Sequence, residues 1–168
     1  MRIAIVYNTF HYVAKFRLPL IEHFLSLGHS VVVIAPNDEF ISDVELIGAE
    51  TKQIPPMGSI KEVLFNLPRI IRSIRRELKS GGFDVVFPYT IIPNVLVPRL
   101  CHSRGIRCYP NVAGLGSLII GRSHVFRSTV KWIYRGALKK ATGVFFQNPD
   151  DLAELRLPEH VATVLLPG

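Results

Sequence analysis

Short apolar runs alternate along this chain with longer stretches in which apolar residues recur every three or four positions. The runs predict strands at Arg2 to Tyr7, Ser30 to Ala35, Thr51 to Ile54, Val85 to Pro88, Arg107 to Asn111, Gly143 to Gln147 and Ala162 to Leu166. The first, second, fourth and sixth are built from Val, Ile, Phe and Ala with few polar interruptions, as in strands buried on both faces of a parallel sheet. Between them the period is helical. Lys15 to Leu27 carries Phe16, Leu20, Phe24 and Leu27 and stops at Gly28, a C′ position. A short helix is expected over Ser42 to Ile47, and a longer one over residues 60–80 with a break or kink at Pro68 and a stop at Gly81-Gly82. Further helices fit Pro93 to Ser103, Ser123 to Ala141 and Pro149 to Leu155. This order is that of a doubly wound α/β fold with a mostly parallel sheet and helices on both faces.

Composition narrows the class. With 168 residues, 48% of them hydrophobic and 20% charged, the chain reads as one compact domain able to bury a core. Ile3-Ala4-Ile5-Val6 follows Met1 as a strand and not as a secretion signal, and no run reaches the roughly eighteen apolar residues of a spanning helix. Cys101 and Cys108 match no zinc spacing and are expected as two half-buried thiols.

The formal charge of +7 is unevenly spread. Residues 1–60 hold four Lys or Arg against six Asp or Glu, residues 61–142 fifteen against three, and residues 143–168 one against four. The middle segment therefore faces something anionic. On the helix from Ser123 to Ala141, Arg127, Lys131, Arg135 and Lys139 recur every fourth residue, and on the preceding long helix Arg69, Arg72, Arg75, Arg76 and Lys79 oppose Ile70, Ile71, Ile74 and Leu78. Two basic amphipathic helices suit an anionic lipid surface, at about 1 kcal/mol per cation near it, or are ordinary solvated faces. No aromatic platform or nucleic-acid motif interleaves with the charge, so nucleic acid is not expected.

Three polar motifs follow apolar runs, where open α/β sheets bind ligands. They are Pro88-Tyr89-Thr90-Ile91-Ile92-Pro93-Asn94, Asn111-Val112-Ala113-Gly114-Leu115-Gly116 and Gln147-Asn148-Pro149-Asp150-Asp151. In the second, the glycines allow either close approach of a ligand or a tight connection into the next helix. The third is explained by capping: Asn148 as N-cap, Pro149 at the first helical position, and two aspartates in the first turn. After the first strand, Asn8 to Ala14 contains no glycine, which excludes the pyrophosphate turn of a dinucleotide-binding oxidoreductase; a phosphate-binding loop of the NTPase type is absent too. The six histidines are scattered without a metal-ligand pattern, and His11, in the loop after the first strand, is the weak candidate for a general acid or base.

Taken in order, Met1 to Val6, Phe16-Arg17, Gly28-His29-Ser30 to Pro36, Tyr89 to Asn94, Gly114-Leu115-Gly116 and Phe146 to Asp151 resemble the N-terminal half of a family 4 glycosyltransferase, in a bacterial subgroup that extends polysaccharide or glycan units on a lipid carrier. The resemblance covers the whole chain. It implies one Rossmann-like half of a GT-B architecture, with residues 1–166 binding the acceptor, residues 167–168 opening an interdomain linker, and a separate C-terminal domain holding the nucleotide sugar. It further implies retention of anomeric configuration, no metal or other cofactor, and transfer of a hexose or N-acetylhexosamine to a lipid-linked saccharide, with the protein peripheral at the cytoplasmic face of the cell membrane. Asn8, Arg17, Thr90, Asn94, Asn111, Gly114 and Gly116 are then the expected acceptor-binding residues. Arg17 stands out because its guanidinium can hold a diphosphate bidentately. Alternative roles are the membrane-recruiting subunit of a split transferase and half of a nucleotide-sugar 2-epimerase.

Overall fold

The computed structural model describes residues 1–115 and 123–166. The chain divides into two compact units, residues 1–87 and 88–168.

In the first unit, β1 (Arg2–Val6), β2 (Ser30–Pro36), β3 (Glu50–Ile54) and β4 (Val85–Pro88) form a sheet in the order β3-β2-β1-β4. β1 and β2 pair in parallel with Ile3 opposite Val31 and Val6 opposite Ile34, and β2 and β3 pair in parallel with Val33 opposite Thr51. Ile3 to Val6 and Val31 to Ala35 are almost wholly buried, which accounts for their unbroken apolar sequence. Helices α1 (Phe10–Phe16), α2 (Leu18–Ser26), α3 (Ile41–Leu46) and α4 (Ile60–Ser80) complete the unit.

One helix here differs from the sequence expectation, and a second resolves an alternative left open by it. The helix expected over Lys15 to Leu27 is two helices joined at Arg17, whose backbone (φ −127°, ψ −7°) is not helical. Pro19 accounts for this break: in an unbroken helix it would have no N–H to give the Lys15 carbonyl and its ring would crowd that carbonyl, whereas both features are tolerated in the first turn of α2. α4, in contrast, runs through Pro68 for 21 residues. The bond Pro68 cannot make would go to the Leu64 carbonyl on the exposed side of the helix, while Val63, Ile70, Ile74 and Leu78 anchor the other side in the core. A capping box starts it: Glu62 N–H donates to Ser59 Oγ at 3.2 Å and Ser59 N–H to Glu62 Oε2 at 3.1 Å.

The second unit contains α5 (Ile91–His102), β5 (Arg107–Cys108), β6 (Asn111–Val112), α6 (His124–Leu138), β7 (Gly143–Phe146), α7 (Pro149–Leu155) and β8 (Ala162–Leu165). β6, β7 and β8 pair in parallel in that order. The single strand expected over Arg107 to Asn111 is two short ones, since Pro110 offers no N–H; its carbonyl still accepts from Phe145 at 2.9 Å. Leu115, Tyr134, Leu138, Phe146 and Leu155 form the core. Cys101 and Cys108 are free and fully buried, not half-buried. No helix among the described residues is long and apolar enough to cross a membrane.

Candidate functional site

The strand-end motifs of the second unit converge on one buried polar network. Asn94, 1% exposed on the first turn of α5, donates through Nδ2 to the Asn111 carbonyl at 2.7 Å and to the Tyr134 hydroxyl at 2.9 Å. A bridge between Tyr89 and Asn111 holds the two motifs side by side. Three oxygens in this neighbourhood, Thr90 Oγ1, Asn94 Oδ1 and Asn111 Oδ1, are buried with no hydrogen-bond partner among the described residues. Buried polar atoms are rarely left so, and the set is suited to a ligand rich in hydroxyl donors.

Thr90 adds a second signal. It stands at the N-cap of α5, yet its side chain makes no capping bond and its backbone lies at φ 63°, ψ 171°. That region is nearly reserved for glycine, and a β-branched residue held there stores about 1–3 kcal/mol. Thr90→Gly is therefore expected to raise stability by about 1 kcal/mol in thermal unfolding while weakening ligand binding through loss of Oγ1.

The third motif does more than cap. Asn148 Oδ1 accepts from Asp150 N–H at 2.9 Å, as expected. Asp151, 3% exposed, instead accepts from Leu115 N–H through both carboxylate oxygens, at 3.3 and 3.2 Å, and so ties α7 to the Gly114-Leu115 turn. Burial pushes its carboxyl above the usual aspartate range; the Leu115 hydrogen bond opposes this, and Glu154 and Asp150 add to it. Gly114 has φ 146°, a conformation that favours glycine. Gly116 lies outside the described residues.

In the first unit the expected residues gather at the carboxyl end of β1, beside the point where strand order reverses. Asn8 Oδ1 is buried without a partner among the described residues. Arg17 lies beside the buried Tyr7 phenol: burial raises the phenol, while the Arg17 charge and hydrogen bond oppose the rise. His11 belongs to α1, not to a loop, because Thr9 Oγ1 accepts from Tyr12 N–H at 3.1 Å and Asp38 Oδ2 from Phe10 and His11 N–H at 2.8 and 3.1 Å, starting the helix early. The His11 ring packs edge-on against Phe40, centroids 4.6 Å apart. Asp38, Tyr134 and the Asp151 clamp escaped sequence reading, since each acts across a separation of 27 residues or more.

On α4, Arg69, Arg72, Arg75, Arg76 and Lys79 are all exposed; Arg76 pairs with Glu77 at 3.0 Å. On α6, Arg135 and Lys139 are exposed, whereas Arg127 and Lys131 turn to Glu154, Arg127 at 3.9 Å and Lys131 in close contact.

Solved structures share this fold. Sucrose-phosphate synthase from Thermosynechococcus elongatus superposes with a TM-score of 0.73 at 14% identity over 99% of this chain and 48% of its own. MurG of Acinetobacter baumannii gives 0.62 at 12% identity over 98% and 44%, and a putative UDP-N-acetylglucosamine 2-epimerase from Listeria monocytogenes 0.61 at 13% over 92% and 41%. The chain thus has the fold of one Rossmann-like half of a GT-B protein, and it spans less than half the length of each of these three. No protein-family profile matches it, and no curated protein matches it in sequence.

Proposed function

We propose that this chain is the acceptor-binding half of a retaining glycosyltransferase that moves a hexose or N-acetylhexosamine from a nucleotide sugar to a lipid-linked saccharide, at the inner face of the cell membrane, in the synthesis of cell-surface polysaccharide or glycan. The observation that carries the reading is the unpartnered trio Thr90 Oγ1, Asn94 Oδ1 and Asn111 Oδ1 in a GT-B half. Two amide oxygens accept from sugar hydroxyls, and the Thr90 hydroxyl can donate or accept. Arg17, at the junction of α1 and α2 and beside Tyr7, supplies a cation for a diphosphate or an acceptor oxygen. The donor sugar and its nucleotide are held by a second domain, as in the GT-B arrangement.

Arg17→Ala is expected to lower kcat/KM for the acceptor by about 10- to 100-fold, the worth of a charge-assisted hydrogen bond, with KM for the donor little changed. The assay is sugar transfer by a protein in which this chain is joined to its donor-binding domain. Near-normal turnover removes Arg17 from the site. The likeness to the Listeria epimerase favours a second reading, half of a nucleotide-sugar 2-epimerase. That enzyme would convert the nucleotide sugar with no acceptor present, which separates the two in the same assay.

A further inference from the structure

We infer that α4 is the element by which this chain docks on an anionic membrane, with Leu64 and Phe65 inserted as a wedge among the acyl chains and the cations that follow them seated at the lipid phosphates. The inference rests on the membrane-associated reading above and names the element and side chains that would execute it.

Folding leaves these two side chains in water. Phe65 is 81% exposed and Leu64 67%, although Val63, Ile70, Ile74 and Leu78 on the opposite side of the same helix are buried. At 100° per residue, positions 61, 64, 65, 68, 69, 72, 75, 76 and 79 fall on one arc. That exposed arc reads Lys61, Leu64, Phe65, Pro68, Arg69, Arg72, Arg75, Arg76, Lys79. Its apolar bulk lies in the first two turns, and five cations occupy the rest.

The charges are available. Among the described residues Arg76 alone of these cations pairs with an acid, and Glu62, the acid nearest the wedge, is engaged in the capping box with Ser59. A basic amphipathic helix with an aromatic anchor lies in the plane of the interface, its apolar side chains below the headgroups and its cations among the phosphates. An acidic protein surface would satisfy the cations and leave Leu64 and Phe65 in water. α6 is less suited, although Trp132 and Val125 are exposed on it, because Arg127 and Lys131 share Glu154.

The test uses the 168-residue chain and phosphatidylcholine vesicles with and without phosphatidylglycerol. Wild type is expected to float with the anionic vesicles only, and L64S/F65S to bind them at least about tenfold more weakly with an unchanged unfolding midpoint. Trp132 is the sole tryptophan, so a W132F background carrying F65W reports on α4 alone and the native protein on α6. Emission from the indole that F65W introduces should shift to the blue on anionic vesicles and be quenched by brominated acyl chains. A silent indole on α4 in a protein that floats, or full binding by L64S/F65S, overturns the wedge while leaving membrane association intact. Failure of wild type to float at all removes the membrane reading itself.

Discussion

Asn94→Leu is expected to cost about 2–5 kcal/mol and to lower the thermal midpoint by roughly 5–15 °C. Leucine nearly preserves volume, so the loss is one of hydrogen bonding. Asn94 gives one amide hydrogen to the Asn111 carbonyl and the other to the Tyr134 hydroxyl, and all three residues are at least 95% removed from solvent. Each partner stripped of its donor costs about 1–3 kcal/mol as a buried unsatisfied group. Tyr134→Phe, which removes a single hydroxyl, should cost about 1 kcal/mol, and the double variant should cost less than the two singles together. Burial raises the Tyr134 phenol and the Asn94 bond opposes the rise, so in wild type the hydroxyl stays protonated. Thermal unfolding of the three variants measures all of this, and additive losses would show that Asn94 and Tyr134 are not coupled.

The second large effect falls on Asp151. Asp151→Ala leaves the buried Leu115 N–H without its acceptor and is expected to cost about 1–3 kcal/mol. Asp151→Asn keeps an acceptor at the same place and isolates the charge. Because burial raises the folded-state carboxyl above its ordinary value of 3.8, the folded protein binds that proton more tightly than the unfolded chain. The stabilisation from this group is fully present below 3.8 and is lost as pH rises through the raised folded value. The midpoint of Asp151→Asn relative to wild type should therefore climb from acid to neutral pH and then level off. A difference independent of pH would mean that Asp151 ionises as freely in the fold as in water.

These residues also show how far sequence reading reaches. Apolar runs such as Ile3 to Val6 and Val31 to Ala35 announce buried parallel strands, because a strand covered on both faces has no polar side to display. The helix cap at Asn148, the positive-φ glycine at Gly28 and the cations of α4 are local features, and local features were legible. The split at Arg17 was within reach of Pro19, but the apolar spacing from Phe16 to Leu27 masked it. Whether the helix stops or continues at Pro68 was not, since that depends on which side of α4 is buried and so on the rest of the unit.

The order of apolar and polar positions was enough, unaided, to establish an α/β chain of parallel strands and to place Thr90 and Asn94 after a strand and Asn111 at the terminus of one, because periodicity and strand termini are properties of neighbours along the chain. Tertiary packing alone decided which polar atoms are paired. It turned the Asn94 amide hydrogens inward to Tyr134 and Asn111, set Asp151 on Leu115 and Glu154 on Lys131, and left three oxygens of the second unit without partners among the described residues. The physical reason is that a hydrogen bond needs its two atoms within about 3 Å, and separations of 17 to 40 residues are closed only when the sheet and helices have packed.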